Sequence, residues 1–250
     1  MKFKLVLILS LVAYVLVGCN INKTVKAYSN FDKNSVIIKK AAEILEISPE
    51  KITRDSLLQI TALTVTEKDV EDVNTTHDFS IISEMKNIKR LELTNIKVLN
   101  TSFLSSLDKL EVLNLSNCEI SEINSIKDLN NLEILYIRKN HINDVTPLAN
   151  LNKLKTLNLN QNPIADISML SNLKCLERLE IKDTWISDIS VVNEMTSLNQ
   201  LDIRGSKVKS IAPLREITKP FELFLIMAEI EDLDTINNNT NIMLAEEFLG

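Results

Sequence analysis

The sequence predicts an α/β solenoid: a right-handed superhelix with one parallel β-sheet, short 3-10 or loop segments returning the chain, and a helical cap at its start. Three observations predict it. From Leu110 onward the chain reads as four back-to-back units, LEVLNLSNCEISEINSIKDLNN, LEILYIRKNHINDVTPLANLNK, LKTLNLNQNPIADISMLSNLKC and LERLEIKDTWISDISVVNEMTS, opened by Leu110, Leu132, Leu154 and Leu176 at a step of 22 residues. Each opening Leu is followed by the same apolar columns: Leu113 and Leu115, Leu135 and Ile137, Leu157 and Leu159, Leu179 and Ile181. Later columns recur as well, for example Ile142, Val145 and Leu148, or Ile164, Ile167 and Leu170. A fixed period with apolar columns is the signature of stacked repeats, since no single repeat buries its own apolar face. The frame extends outward through Ile88, Leu91 and Leu93 and through Leu198, Leu201 and Ile203, which makes six in-register units from Ile88 to Lys219.

Within a unit, the L-x-L alternation is that of a half-buried strand, with the leucines inward and their neighbours outward. The next strand starts one period later and runs the same way, so the sheet is parallel. Where the strand ends, a buried side chain must satisfy the turn backbone. Asn140 and Asn162 can do so with an amide that both donates and accepts, whereas Cys118, Thr184 and Ser206 hold the same column and can do it only weakly. The return limb places Thr146 as the cap of a short helix with Pro147 in its first turn; Ser168 and Ser190 repeat the cap and Pro213 the proline.

The L-x-x-L-x-L-x-x-N-x-I pattern resembles the leucine-rich repeat. With its short I-x-D-I-[ST]-P-L return it resembles the 22-residue repeats of the bacterial internalin type. The order I-T-x-x-x-L-x-x-I-T-x-L from Ile52 to Leu63 is similar to the segment that opens such arrays. The resemblance implies that the outward strand face is concave and is the usual binding surface, and that protein partners, host receptors among them, are its usual ligands.

The flanks follow from the same logic. Residues 1–18 read as a secretion signal, with a basic MKFK followed by the apolar run LVLILSLVAYVLVG. Leu16-Val17-Gly18-Cys19 resembles the bacterial lipobox, which implies cleavage before Cys19 and diacylglycerol on its thiol, often with an acylated amine. More than one acyl chain on a residue anchors stably where one is marginal. The domain is then expected on the extracytoplasmic side of a bacterial envelope membrane. Residues 19–34 are polar and aperiodic, as in a lipidated tether. Residues 35–65 form the cap: Ser35 at the N-cap of a helix that turns Ile37, Ile38, Ala41, Ile44 and Leu45 to one face, a break at Ser48-Pro49, a second short helix from Thr53 carrying Leu57, Leu58 and Ile60, and a first strand through Leu63 and Val65. Residues 66–219 are the repeats, with a link around His77 longer than one period. Residues 220–250 form a degenerate last repeat and a C-terminal cap: Pro220 replaces the opening Leu, and Phe224, Ile226 and Met227 are expected either to pack under the tail or to form an apolar patch.

Composition narrows the function. The formal net charge is −6, or −8 once a segment bearing Lys2 and Lys4 is removed, which disfavours nucleic acid and anionic membrane surfaces as partners. No phosphate-cradling loop can be built from Gly18, Gly205 and Gly250, and neither His77 nor His141 has a nucleophile or metal-spaced partner, so no enzyme activity, cofactor or metal is expected. The acidic column Glu122, Asp144, Asp166 and Asp188 spreads its carboxylates one per repeat, which suits starting a turn better than converging on an ion. Cys118 and Cys175 stand two strands apart, about 10 Å, beyond disulfide reach.

The strand face is the informative surface. Alternation turns outward Arg90, Glu92 and Thr94; Val112, Asn114 and Ser116; Ile134, Tyr136 and Arg138; Thr156, Asn158 and Asn160; Arg178, Glu180 and Lys182; and Gln200, Asp202 and Arg204. Tyr136, Arg138, Lys139, Arg178, Lys182 and Arg204 are expected to form a basic, aromatic patch, joined by the lone Trp185, because Tyr, Trp and Arg dominate protein interfaces. The competing expectation is a solvated face with interleaved charges, supplied by Glu180, Asp183 and Asp202. A protein partner is the first functional expectation; a carbohydrate- or peptidoglycan-binding module, stacking sugars on Tyr136 and Trp185, is the second.

Overall fold

In a computed structural model of the chain, residues 31–226, 230–236 and 241–246 are described. Helix α1 (Val36–Leu45) and the single turn α2 (Arg54–Leu57) precede nine strands: β1 (Ala62–Thr66), β2 (Arg90–Thr94), β3 (Val112–Asn114), β4 (Ile134–Tyr136), β5 (Thr156–Asn158), β6 (Arg178–Glu180), β7 (Gln200–Asp202), β8 (Phe221–Leu225) and β9 (Ile242–Glu246). They form one sheet in sequence order, every neighbouring pair parallel. The strand leucines stack in register, Leu91 on Leu113, Leu135, Leu157, Leu179, Leu201 and Leu223. All of them are fully buried. The period in the sequence is thus the register of the sheet.

Behind the sheet, 3-10 turns such as Ser102–Ser106, Thr146–Leu148 and Ser168–Asn172 stack on their counterparts in the next repeat. Here the structure corrects the reading of the caps. Thr146, Ser168 and Ser190 are the first residues inside their turns, and the capping oxygen belongs to the acidic column before them. Asp144, Asp166 and Asp188 each accept the N–H of the residue two further on at 2.8 Å. Asn100 and Asp78 do the same for Ser102 and Ser80. A carboxylate that accepts from an oriented N–H is favoured in its ionised form. The Thr146 hydroxyl and amide accordingly hold the Asp144 carboxyl below the usual carboxylate range, and the Ser168 amide and hydroxyl do so for Asp166.

The cap lies as expected, with differences in detail. Ser35 is the N-cap of α1, yet its side chain makes no capping hydrogen bond, and Lys39 N–H finds the Ser35 carbonyl instead. The helix buries Ile37, Ile38, Ala41 and Ala42, whereas Ile44, expected on the same face, is 47% exposed. Thr53 caps α2 through a reciprocal pair of bonds with Ser56; the helix ends at Leu57, so Leu58 and Ile60 follow it. Phe31, placed in the tether by the sequence, packs partly buried against the core. The rest of the tether before it, the signal segment and Cys19 lie outside the described residues.

Leu63 pairs with Leu91 across a longer link than the repeats use. The surplus forms an exposed stretch over residues 71–76 before the chain rejoins the stack at Phe79, which packs on Phe103 with ring centroids 6.2 Å apart. At the far end the closing segment covers the core edge as β9, with Leu244 beside Leu223. Met227 lies outside the described residues, as do 237–240 and 247–250. Phe224 is half-buried on the outward face, where Arg204 covers its ring with the guanidinium carbon 5.4 Å from the centroid.

Cys118 and Cys175 are both free thiols, the first buried and the second exposed. Burial pushes the Cys118 thiol up to about 12. Only the thiolate is a nucleophile, so at pH 8 Cys118 is ionised at roughly one part in ten thousand. Brief alkylation with iodoacetamide at pH 8 should therefore label Cys175 and leave Cys118 unmodified until the chain is unfolded. Peptide mass mapping reads the outcome, and equal labelling of both cysteines in the folded chain would contradict the burial described.

Candidate functional site

Two structural columns build the edge of the strand face. The residue that follows the last outward position of each strand unit turns the chain with left-handed backbone: Asn95, Asn117, Lys139, Gln161, Asp183 and Gly205 have φ between 55° and 64°. Gly205 has a further reason to be glycine, because a Cβ there would lie 2.2 Å from Asp183 Oδ1. The next column turns inward, buried at Cys118, Asn140, Asn162 and Thr184 and half-buried at Ser206. Asn140 Oδ1 accepts the N–H of Cys118 and of Ile120, both at 3.0 Å, while its Nδ2 donates to the carbonyls of Leu115 (2.8 Å) and Ile137 (3.0 Å). Asn162 repeats the pattern with Ile142 N–H and the carbonyls of Ile137 and Leu159. Thr184 and Ser206 each donate to a single carbonyl of their own repeat, those of Ile181 and Ile203, and Cys118 offers its S–H to Leu93 and Ser116.

On the face so framed, the predicted patch divides. Arg178 Nε lies 2.8 Å from Glu180 Oε1 on its own strand. Arg204 is bidentate to Asp202, Nε to Oδ1 at 2.9 Å and a terminal nitrogen to Oδ2 at 2.7 Å, with the Asp202 side chain 8% exposed. Arg90 and Glu92 pair likewise on β2 at 3.1 Å. Lys182 is half-buried, and its N–H donates to Asn160 Oδ1 at 2.7 Å. Glu180 Oε2 also accepts from Asn158 Nδ2 (2.5 Å) and Asn160 Nδ2 (2.9 Å). The charges on β2, β6 and β7 thus close on themselves. The expected continuous basic patch is corrected: Arg178 and Arg204 are neutralised in place, as the interleaved-charge expectation had it.

Tyr136 and Arg138 remain. Tyr136 stands half-buried at the centre of the face, flanked in register by Asn114 and Asn158. Val112, Ile134 and Thr156 form a half-buried neighbouring row. Arg138 is exposed, and among the described residues neither its guanidinium nor the Tyr136 hydroxyl has a hydrogen-bond or ionic partner. Lys139 is exposed too, but at φ 55° it belongs to the turn column and not to the strand face. Trp185 is 61% exposed, beyond the buried Thr184, in the column of His141 and Lys207, where its backbone N–H donates to the Ile164 carbonyl at 2.9 Å. It is off the strand face and does not join Tyr136. Sequence reasoning left Val112, Ile134 and Thr156 out of the site, although their alternation was legible. The R-x-E spacing at Arg90 and Arg178 and the D-x-R spacing at Asp202 were the signals for the self-paired charges. Among the described residues no cluster of His, Cys, Asp or Glu is arranged to hold a metal ion.

The family profile described as Leucine Rich repeats (2 copies) matches residues 108–150, 130–172 and 152–193. An internalin (InlF) of Listeria monocytogenes has a similar structure, with TM-score 0.72 and 26% identity over 86% of this chain, which spans 64% of that one. An internalin C2 (InlC2) of the same organism gives TM-score 0.62 at 21% identity, covering 85% of this chain and 92% of that one. A leucine-rich repeat protein of Leptospira interrogans gives 0.57 at 20%, covering 68% and 51%. No curated protein sequence matches the chain. The fold is a leucine-rich repeat solenoid, similar to the internalins.

The division of the arginines is measurable. Arg204→Ala removes a largely buried bidentate pair and the cover of Phe224, and should lower the unfolding free energy by about 2 kcal/mol. Arg138→Ala should stay within about 0.5 kcal/mol of the parent. Urea denaturation compares them, and equal losses would mean that Arg138 is tied into the fold as Arg204 is.

Proposed function

We propose that the chain is a lipoprotein of the bacterial cell envelope, anchored through Cys19, whose leucine-rich repeats bind a protein partner on the concave strand face. The observation that carries the binding reading is the partition of that face. Interfaces concentrate energy in a central apolar and aromatic cluster, ringed by polar groups that exclude water. Val112, Ile134 and Tyr136 are such a centre, and the pairs Arg90–Glu92, Arg178–Glu180 and Arg204–Asp202 such a rim. A partner meeting this rim need not strip water from unpaired charges. The lipobox at Cys19 and the apolar run before it support the anchor. The carbohydrate reading loses its main support, since the two aromatics it needs do not share a face. The likeness to internalins fits a host-surface partner, and another envelope protein fits the same face.

Photo-crosslinking in cells tests this. A benzophenone amino acid at Ile134 should give discrete protein adducts, from the producer's envelope or from host cells placed in contact with it. The same group at Met169, on the return limb and 47% exposed, should give none. In the same cells Cys19→Ser should move the protein out of the membrane fraction. Adducts from Met169 alone, or a polysaccharide smear from Ile134, would contradict the proposal.

A further inference from the structure

Hydrogen bonding on the strand face favours incoming acceptors over β3 to β5. Its asparagine side-chain carbonyls are already engaged, which leaves only hydroxyls to accept. Asn114 Oδ1 accepts the Ser116 N–H (3.0 Å) and hydroxyl (2.6 Å). Asn158 Oδ1 accepts the Asn160 N–H at 3.0 Å, and Asn160 Oδ1 that of Lys182 at 2.7 Å. Of the two carboxylates that flank these strands in register, Glu92 pairs with Arg90, and Glu180 takes Arg178 on one oxygen and two asparagine amides on the other. The donors, by contrast, are open: among the described residues the Arg138 guanidinium, the Tyr136 hydroxyl and the Asn114 amide nitrogen donate to nothing. Arg138 is flanked in its column by Ser116 and Asn160, both neutral, so no neighbouring carboxylate competes for it.

Resting on the reading of this face as a protein-binding surface, we infer that its centre recognises an acidic protein segment: a carboxylate received by Arg138, beside an apolar or aromatic side chain seated over Val112, Ile134 and Tyr136. The guanidinium presents parallel N–H groups that match a carboxylate, and charge-assisted bonds of this kind exceed neutral ones. A neutral sugar would meet only hydroxyl acceptors there and would leave the Arg138 charge unanswered. A polyanion such as a nucleic acid or sulfated glycan would bring acceptors, but its dense negative charge meets a chain of net charge −6. A short acidic segment escapes most of that repulsion, because charges beyond about 8 Å are screened at physiological salt.

The test pans a phage-displayed library of random short peptides against the purified full-length chain, with heparin as competitor. Selected peptides should be enriched in Asp or Glu next to Phe, Tyr, Trp or Leu. Arg138→Ala should weaken them roughly tenfold, about 1.4 kcal/mol, with an unchanged urea midpoint, and panning on Arg138→Glu should select basic residues instead. Peptides blocked by Ile134→Asp but without acidic preference would overturn this inference and leave the protein-binding face standing. Peptides indifferent to both Ile134→Asp and Arg138→Glu would overturn both. Failure to enrich any peptide, or displacement by heparin of peptides with no apolar preference, would also overturn the inference.

Discussion

The fold depends on how three-residue strands can be followed by buried turns. A parallel sheet stacked one repeat on the next leaves turn amides and carbonyls inside the molecule, where an unmet polar group costs about 1–3 kcal/mol. The column after the left-handed turn answers this. The amide of Asn140 ties Cys118 and Ile120 N–H of the preceding repeat to carbonyls on both sides of the junction. The connection is between repeats as much as within one, so each repeat completes its neighbour. Where the column holds Thr184, the side chain serves one carbonyl of its own repeat, and Ser206 serves one carbonyl and the Val208 N–H, both in its own repeat.

That constraint determines what is left for function. The inward columns are committed to packing, the turn column to left-handed backbone and the asparagine column to turn closure. Only the outward strand positions are unconstrained by the stack, and several of those are occupied by in-strand ion pairs. The middle of the sheet is what remains, with a half-buried apolar row, a tyrosine, and an arginine that serves nothing in the fold. Charge that the fold does not use is where a partner's contribution is worth most, because no existing bond must be broken to form the new one.

The solenoid was legible because its period is also its register: the leucine columns of the sequence are the pairings of the sheet. The cap residues were harder. Asp-x-Ser and Asp-x-Thr both offer oxygens at the turn, and the choice of Asp144 over Thr146 follows from which of them precedes the first turn residue by the right distance. Helical spacing alone puts Ile44 on the buried face of α1, but the side covered by β1 and the turn Pro49–Lys51 buries Ala42 and leaves Ile44 exposed. Counting cations on a face overstates a basic patch, because it ignores carboxylates two residues away on the same strand. Such pairs project to the same side and find each other first. Trp185 drew notice as an interface-type residue, yet its position beyond Thr184 carries it around the turn and off the face. The closing strand β9 was hidden because the step from Leu223 to Leu244 departs from the 22-residue step of the repeats.

The most direct test is hydrogen exchange on Asn140→Ala beside the parent, read with urea denaturation. If buried amides tie the repeats together, the N–H groups of Cys118 and Ile120 lose their acceptor. They should then exchange faster than the neighbouring strand amides of β3 and β4, and the chain should lose about 3 kcal/mol. Protection at Cys118 and Ile120 equal to the parent's, with a stability loss below about 1 kcal/mol, would contradict the account and leave leucine packing alone to hold the stack.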